Sequence, residues 1–270
     1  MSRIDDAFAK NKDSGRKGFI PYLTAGFPTL EESADLVLAA ADAGSTLIEL
    51  GVPFSDPIAD GPVIQHSSQI ALENGVTLER IIDMVSKLRQ RTDCPLVLMG
   101  YANSFMRYGY ERLAADAADA GVHGLIVPDL PPEETGVLAT GIAASGLDLI
   151  FLVAQTTTEQ RMHSICAASS GFIYYIARLG VTGATAEVSP VLADRISHIR
   201  AHTDLPVAAG FGISTPEQVA AVVAHADAAI MGSALIRKIS DHQGPESAAS
   251  MVEALVSECN KACATNNGIA

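Results

Sequence analysis

Short apolar runs recur along the chain, spaced widely enough to admit a helix between each pair. They are GFIPYLT (18–24), TLIELGV (46–52), PLVLMGY (95–101), HGLIVPD (123–129), LDLIFLV (147–153), GFIYYIA (171–177), PVAAGFG (206–212) and DAAIMGS (227–233). These eight runs are rich in β-branched and aliphatic residues and lack the polar alternation of a half-exposed strand, which predicts a parallel sheet covered on both faces. Between them lie Ala-rich amphipathic segments, among them EESADLVLAAADAG (31–44), ERLAADAADAG (111–121), EQVAAVVAHA (217–226) and ESAASMVEALVSECNKACA (246–264), whose apolar spacing fits helices. Eight βα units in about 250 residues fit a (β/α)₈ (TIM) barrel with extra short helices better than an open doubly wound sheet. The open sheet stays as the alternative, because apolar spacing does not record closure. With no linker or low-complexity segment, the expectation is one α/β domain over residues 1–270.

Composition narrows the class. At 48% hydrophobic residues the chain can bury a large core, and no apolar run reaches the length that spans a bilayer. The first seventeen residues, MSRIDDAFAKNKDSGRK, carry no signal-peptide apolar region, so a cytoplasmic protein is expected. Its four cysteines show no metal-like spacing; Cys259 and Cys263 share a helix face at i,i+4 and read as a buried or idle pair. The net charge of −13, with no basic run, argues against nucleic-acid binding. An anionic small substrate would then need local backbone dipoles to hold it.

Barrel chemistry collects at the C-terminal ends of strands. There ELGVPFSDPIADGPVIQ (49–65) holds Glu49, Asp56 and Asp60, while no Lys or Arg occurs anywhere from residue 18 to 79. Glu49, between Ile48 and Leu50, points to the face opposite both. A lone buried acid keeps its proton to higher pH and can give and take it near neutrality; a hydrated or distantly paired acid is the other reading. Asp60 can face Glu49 across a ligand, and Asp56 before Pro57 also suits a turn. GFGIST (210–215) and MGSALIRK (231–238) close the last two strand runs with glycines, offering Gly212, Gly232 and Ser233 as phosphate donors. The Gly/Thr-rich segment 178–190 reads as a lid or as plain linker. His198 and His202, at i,i+4 without a third ligand, read as a solvated helix face. No serine-hydrolase elbow, zincin motif or P-loop lysine motif is present.

Taken in order, ELGVPFSDPIADGPVIQ, GYAN (100–103), VPDLP (127–131), GVTGA (180–184) and GFGIST resemble the tryptophan synthase α subunit family over nearly the whole chain. That resemblance implies a (β/α)₈ barrel that cleaves indole-3-glycerol phosphate to indole and glyceraldehyde 3-phosphate. It implies no cofactor or metal, and a β subunit that consumes the indole, expected in an α₂β₂ heterotetramer. Residue by residue, it makes Glu49 the general acid/base and Asp60 the anion near the indole nitrogen. Tyr22, Met99, Ile126 and Tyr174 become substrate-side residues, and Thr182 the lid threonine. Gly183, Gly212, Gly232 and Ser233 correspond to the phosphate site, and Asp56 to the loop facing the β subunit. A stand-alone indole-3-glycerol-phosphate lyase, another phosphate-binding barrel enzyme and a barrel kept as an allosteric partner are the competing readings.

Overall fold

The computed structural model describes residues 1–177, 190–210, 212–244 and 246–264. Its strands are β1 (Gly18–Thr24), β2 (Ile48–Gly51), β3 (Leu96–Met99), β4 (Gly124–Ile126), β5 (Asp148–Ile150), β6 (Leu152–Ala154), β7 (Ile173–Ile176), β8 (Val207–Gly210) and β9 (Ala228–Met231). All eight apolar runs form strands, but the fifth is split in two at Phe151. Every pairing is parallel, in the order β5-β4-β3-β2-β1-β9-β8-β7-β6. The two outermost strands are therefore the two halves of one run, joined through Phe151, whose carbonyl accepts from Tyr174 N–H at 3.1 Å. Covalent continuity at that seam closes the sheet into a barrel.

Period-two alternation sorts the strand residues into two layers. Ile48 and Leu50 join the helix residues Leu36 and Val37 in the layer between barrel and helices, while Leu47, Ile20, Val97, Ile126, Ile150, Phe172, Ala208 and Ile230 fill the interior. Ile4 and Phe8 enter this inner cluster from helix Arg3–Asp13. Phe8 lies 5.8 Å, centroid to centroid, from Phe172, so this helix plugs the barrel floor. The helix holds its own start: Ser2 Oγ accepts from Asp5 N–H at 3.1 Å and Asp5 Oδ2 accepts from Ser2 N–H at 2.9 Å. Asp5 and Asp6 in its first turn and Lys10 and Lys12 in its last complement the helix dipole.

The amphipathic segments form helices Leu30–Asp42, Tyr110–Ala120, Pro216–Val223 and Ala248–Ala262. Further helices interrupt the simple βα alternation, notably Pro62–Glu73 after the acidic loop and the eight-residue Ser233–Ser240 after β9. No described helix is long and apolar enough to cross a membrane.

Candidate active site

Glu49 sits in β2 beside Tyr22 of β1 and Val97 of β3, all on the inward face. It is fully buried, and neither carboxylate oxygen has a hydrogen-bond partner among the described residues. Burial without compensation penalises the charged form and pushes its pKa up to about 8. An unpartnered buried carboxyl is costly to keep, so Glu49, at the C-terminal end of a barrel strand, is a candidate for proton-transfer chemistry.

Asp60 comes from the loop after β2, which turns back on itself through Asp60 N–H to Pro57 O at 3.0 Å and Gln65 Nε2 to Asp60 O at 2.8 Å. Tyr101, at the end of the β3 run, donates its hydroxyl to Asp60 Oδ2 at 3.0 Å and accepts from Ala59 N–H at 3.0 Å. Its ring stacks on Phe54 at 5.1 Å. Partial burial raises the Asp60 pKa and the Tyr101 hydrogen bond opposes that rise. Tyr101 thus holds the loop acid in place and helps keep it ionised. GYAN carries this residue in the sequence, where a tyrosine just past a strand end is its one signal.

Tyr22, Met99, Ile126 and Tyr174 share the inward face with Glu49: Tyr22 pairs with Glu49, Met99 with Ile126 and Gly51, and Tyr174 with Ala208 of the inner cluster. Burial pushes the phenols of Tyr22 and Tyr174 far above their ordinary range, and the charges of both Glu49 and Asp60 push the same way. Both carboxyls therefore act on both phenols, so the expected residues from β1, β2, β7 and the loop are neighbours. Gly51 makes room for them: a Cβ there would stand 1.9 Å from the Tyr22 hydroxyl oxygen.

Gly212 adopts φ +82° after β8 with open space where a side chain would be, so the left-handed backbone, not crowding, requires glycine. Gly232 is the N-cap of helix Ser233–Ser240 with no side chain capping it, and its Cα faces the Tyr22 ring, a Cβ being 3.4 Å from Tyr22 Cβ. This uncapped N-terminus directs backbone N–H groups and the positive end of the helix toward the site. Thr182 and Gly183 lie outside the described residues, as does most of the expected lid.

Asp56 stands apart from this cluster. It is exposed, with Ser55 Oγ donating to it at 2.5 Å, beside Ile58, which is 85% exposed. Cys259 and Cys263 are buried free thiols, as expected. The histidine pair is different: His202 lies in the turn after its helix, and Glu159 supplies a third group that chain spacing did not reveal.

Comparison with known proteins gives the family. A family profile described as tryptophan synthase alpha chain matches residues 8–264. The tryptophan synthase alpha chain of Citrifermentans bemidjiense is 50% identical over 246 residues, covering 91% of this chain and 92% of the relative. That of Thioalkalivibrio sulfidiphilus is 47% identical over 264 residues, covering 97% and 99%. Among solved structures, tryptophan synthase subunit alpha from Legionella pneumophila superposes with a TM-score of 0.89 at 36% identity, covering 97% of this chain and 98% of that one.

Proposed function

Since this chain belongs to the tryptophan synthase alpha chain family, whose lyase reaction turns indole-3-glycerol phosphate into indole and glyceraldehyde 3-phosphate, we propose that Glu49 is its proton carrier and Asp60 its fixed anion. The observation that carries this is the buried, unpartnered Glu49 carboxyl with a pKa of about 8, which is neutral at the start of a turnover near pH 7.

Glu49 gives its proton to C3 of the indole ring. Positive charge then develops at the ring nitrogen, where Asp60 accepts the N–H and offsets it. The Glu49 carboxylate now takes the hydroxyl proton from the glycerol carbon attached to C3. That oxygen's electron pair becomes the aldehyde C=O, the carbon–carbon bond breaks, and its electrons restore the indole. One proton has moved from oxygen to carbon through one side chain, and no external electron acceptor is needed. A nearby Lys or Arg would pair with Glu49 and lower its pKa, which accounts for the base-free span 18–79.

Tyr22, Met99, Ile126 and Tyr174 wall the indole ring. The phosphate is held by Gly212 after β8 and by Gly232 and Ser233 at the N-terminus of helix Ser233–Ser240; Gly183 is assigned to the same phosphate site, and Thr182 to the lid threonine, on the family motif alone. The β subunit docks on the loop after β2 and on helix Ala102–Tyr108 after β3, where Asp56, Ile58 and Met106 are exposed, forming an α₂β₂ assembly in the cytoplasm. The whole chain serves as one barrel domain.

The test is release of indole and glyceraldehyde 3-phosphate from indole-3-glycerol phosphate, by the chain alone and with a tryptophan synthase β subunit. Slow release that rises sharply with the partner is expected, and Glu49→Gln should cut it by at least about a thousandfold in folded protein. An active Gln variant would sink the assignment. Fast release that ignores the partner would favour a stand-alone lyase.

A further inference from the structure

A second cluster of polar side chains, unused by the reaction above, joins two helices on either side of β7. Glu159 opens helix Glu159–Ala168, His198 lies in the last turn of helix Pro190–Arg200, and His202 follows in the next turn. His198 Nε2 is 2.7 Å from Glu159 Oε2, and His202 Nε2 is 2.9 Å from Glu159 Oε1. Ligand-capable atoms of all three residues lie within 4.8 Å of one another.

Hydrogen-bond roles say what belongs between them. His202 Nδ1 is 2.9 Å from the His198 carbonyl oxygen. A carbonyl only accepts, so Nδ1 carries the hydrogen. Neutral His202 then turns the lone pair of Nε2 toward a carboxylate oxygen, which also only accepts. Two acceptors 2.9 Å apart require a positive charge, either a proton that makes an imidazolium or a metal ion. The His198 carbonyl and Glu159 both raise the His202 pKa, so the proton is the competitor. Yet a ring N–H anchored to a backbone carbonyl is also the outer-shell arrangement of metal-bound histidines, fixing the tautomer with Nε2 free to ligate.

We propose that Glu159, His198 and His202 form a binding site for a divalent transition ion of the zinc class, acting as a clip between the two helices. Two imidazoles and one carboxylate are a common zinc donor set, with water in the fourth place. Around a tetrahedral ion with bonds of about 2.1 Å, ligand atoms stand about 3.4 Å apart. The nitrogen-to-oxygen contacts need to widen by about 0.5 to 0.7 Å, a small rotation for the Glu159 side chain, which is 68% exposed.

The test uses the purified full-length chain, stripped with a chelator and titrated with Zn²⁺ at pH 7.5 by calorimetry. One equivalent should bind with micromolar or tighter Kd, and a hundredfold excess over Kd should raise Tm by about 5 °C. In H198A/H202A, which keeps all four thiols, affinity should fall at least a hundredfold and the Tm rise should vanish; Glu159→Gln should weaken binding about tenfold. Cobalt(II) gives a readout without variants: visible bands with no thiolate charge-transfer band are expected. Absence of binding tighter than about 100 µM, unchanged affinity in the double variant, or a thiolate band would each overturn the site.

Discussion

Glu49 is a residue whose surroundings set its acidity against stability. Its folded pKa of about 8 lies above the ordinary carboxyl value, so the folded state binds the proton more tightly than the unfolded one. The resulting stability is fully present below the ordinary value and is lost as pH rises through about 8. Urea unfolding at pH 5, 7 and 9 should therefore show Glu49→Gln close to wild type at pH 5 and more stable at pH 9, by a few kcal/mol at most. The same titration predicts that kcat falls as pH rises through about 8, because turnover starts from the neutral acid. Tyr101→Phe removes the donor to Asp60 and the acceptor for Ala59 N–H. We expect kcat/KM to fall about tenfold, with Tm changed little; an unchanged kcat/KM would show that the loop holds Asp60 unaided. Glu49 was legible in the sequence because a lone acid in an apolar strand, without any base nearby, has few structural explanations. Tyr101 was not, since its tie to Asp60 spans 41 positions, and Glu159 was hidden from His202 by a separation of 43.

At the scale of elements, continuous apolar runs identified every barrel strand because a sheet covered on both faces tolerates no polar alternation. What they did not show was the break at Phe151, since closing a barrel changes pairing partners without changing composition. The floor-plugging helix was missed for a related reason. Its surface is mostly charged, and Ile4 and Phe8, at i,i+4, are its buried residues. Phe8→Ala leaves a void against Phe172 and should cost about 3–5 kcal/mol in denaturant unfolding. Activity at temperatures well below Tm should stay close to wild type, because the plug sits at the end of the barrel opposite the site.

At the scale of the whole molecule, the proposed reacting face is separate from the proposed docking surface. Of the two proposed acids Glu49 is buried and Asp60 half-buried, while Ile58 at 85% exposure projects from the loop after β2 and Met106 at 59% from helix Ala102–Tyr108 after β3. Apolar side chains this open at one end of the barrel suit a partner that covers them. Ile58→Asp should lower activation by the β subunit at least tenfold while the basal rate of the isolated chain stays the same; equal activation would move the interface elsewhere. Barrel class was readable from eight spaced runs, and one acidic motif pointed to the candidate site, whereas the contacts joining distant segments needed the fold.

The seam at Phe151 reaches beyond architecture. Extended strands with free edges act as templates on which identical chains stack into fibrils, and open sheets need charges, prolines or bulges to prevent it. Here the first and last strands of the sheet are one uninterrupted piece of chain, so the folded barrel presents no such template. Aggregation on overproduction should therefore track global unfolding, rising with denaturant or heat together with loss of the fold and not before it.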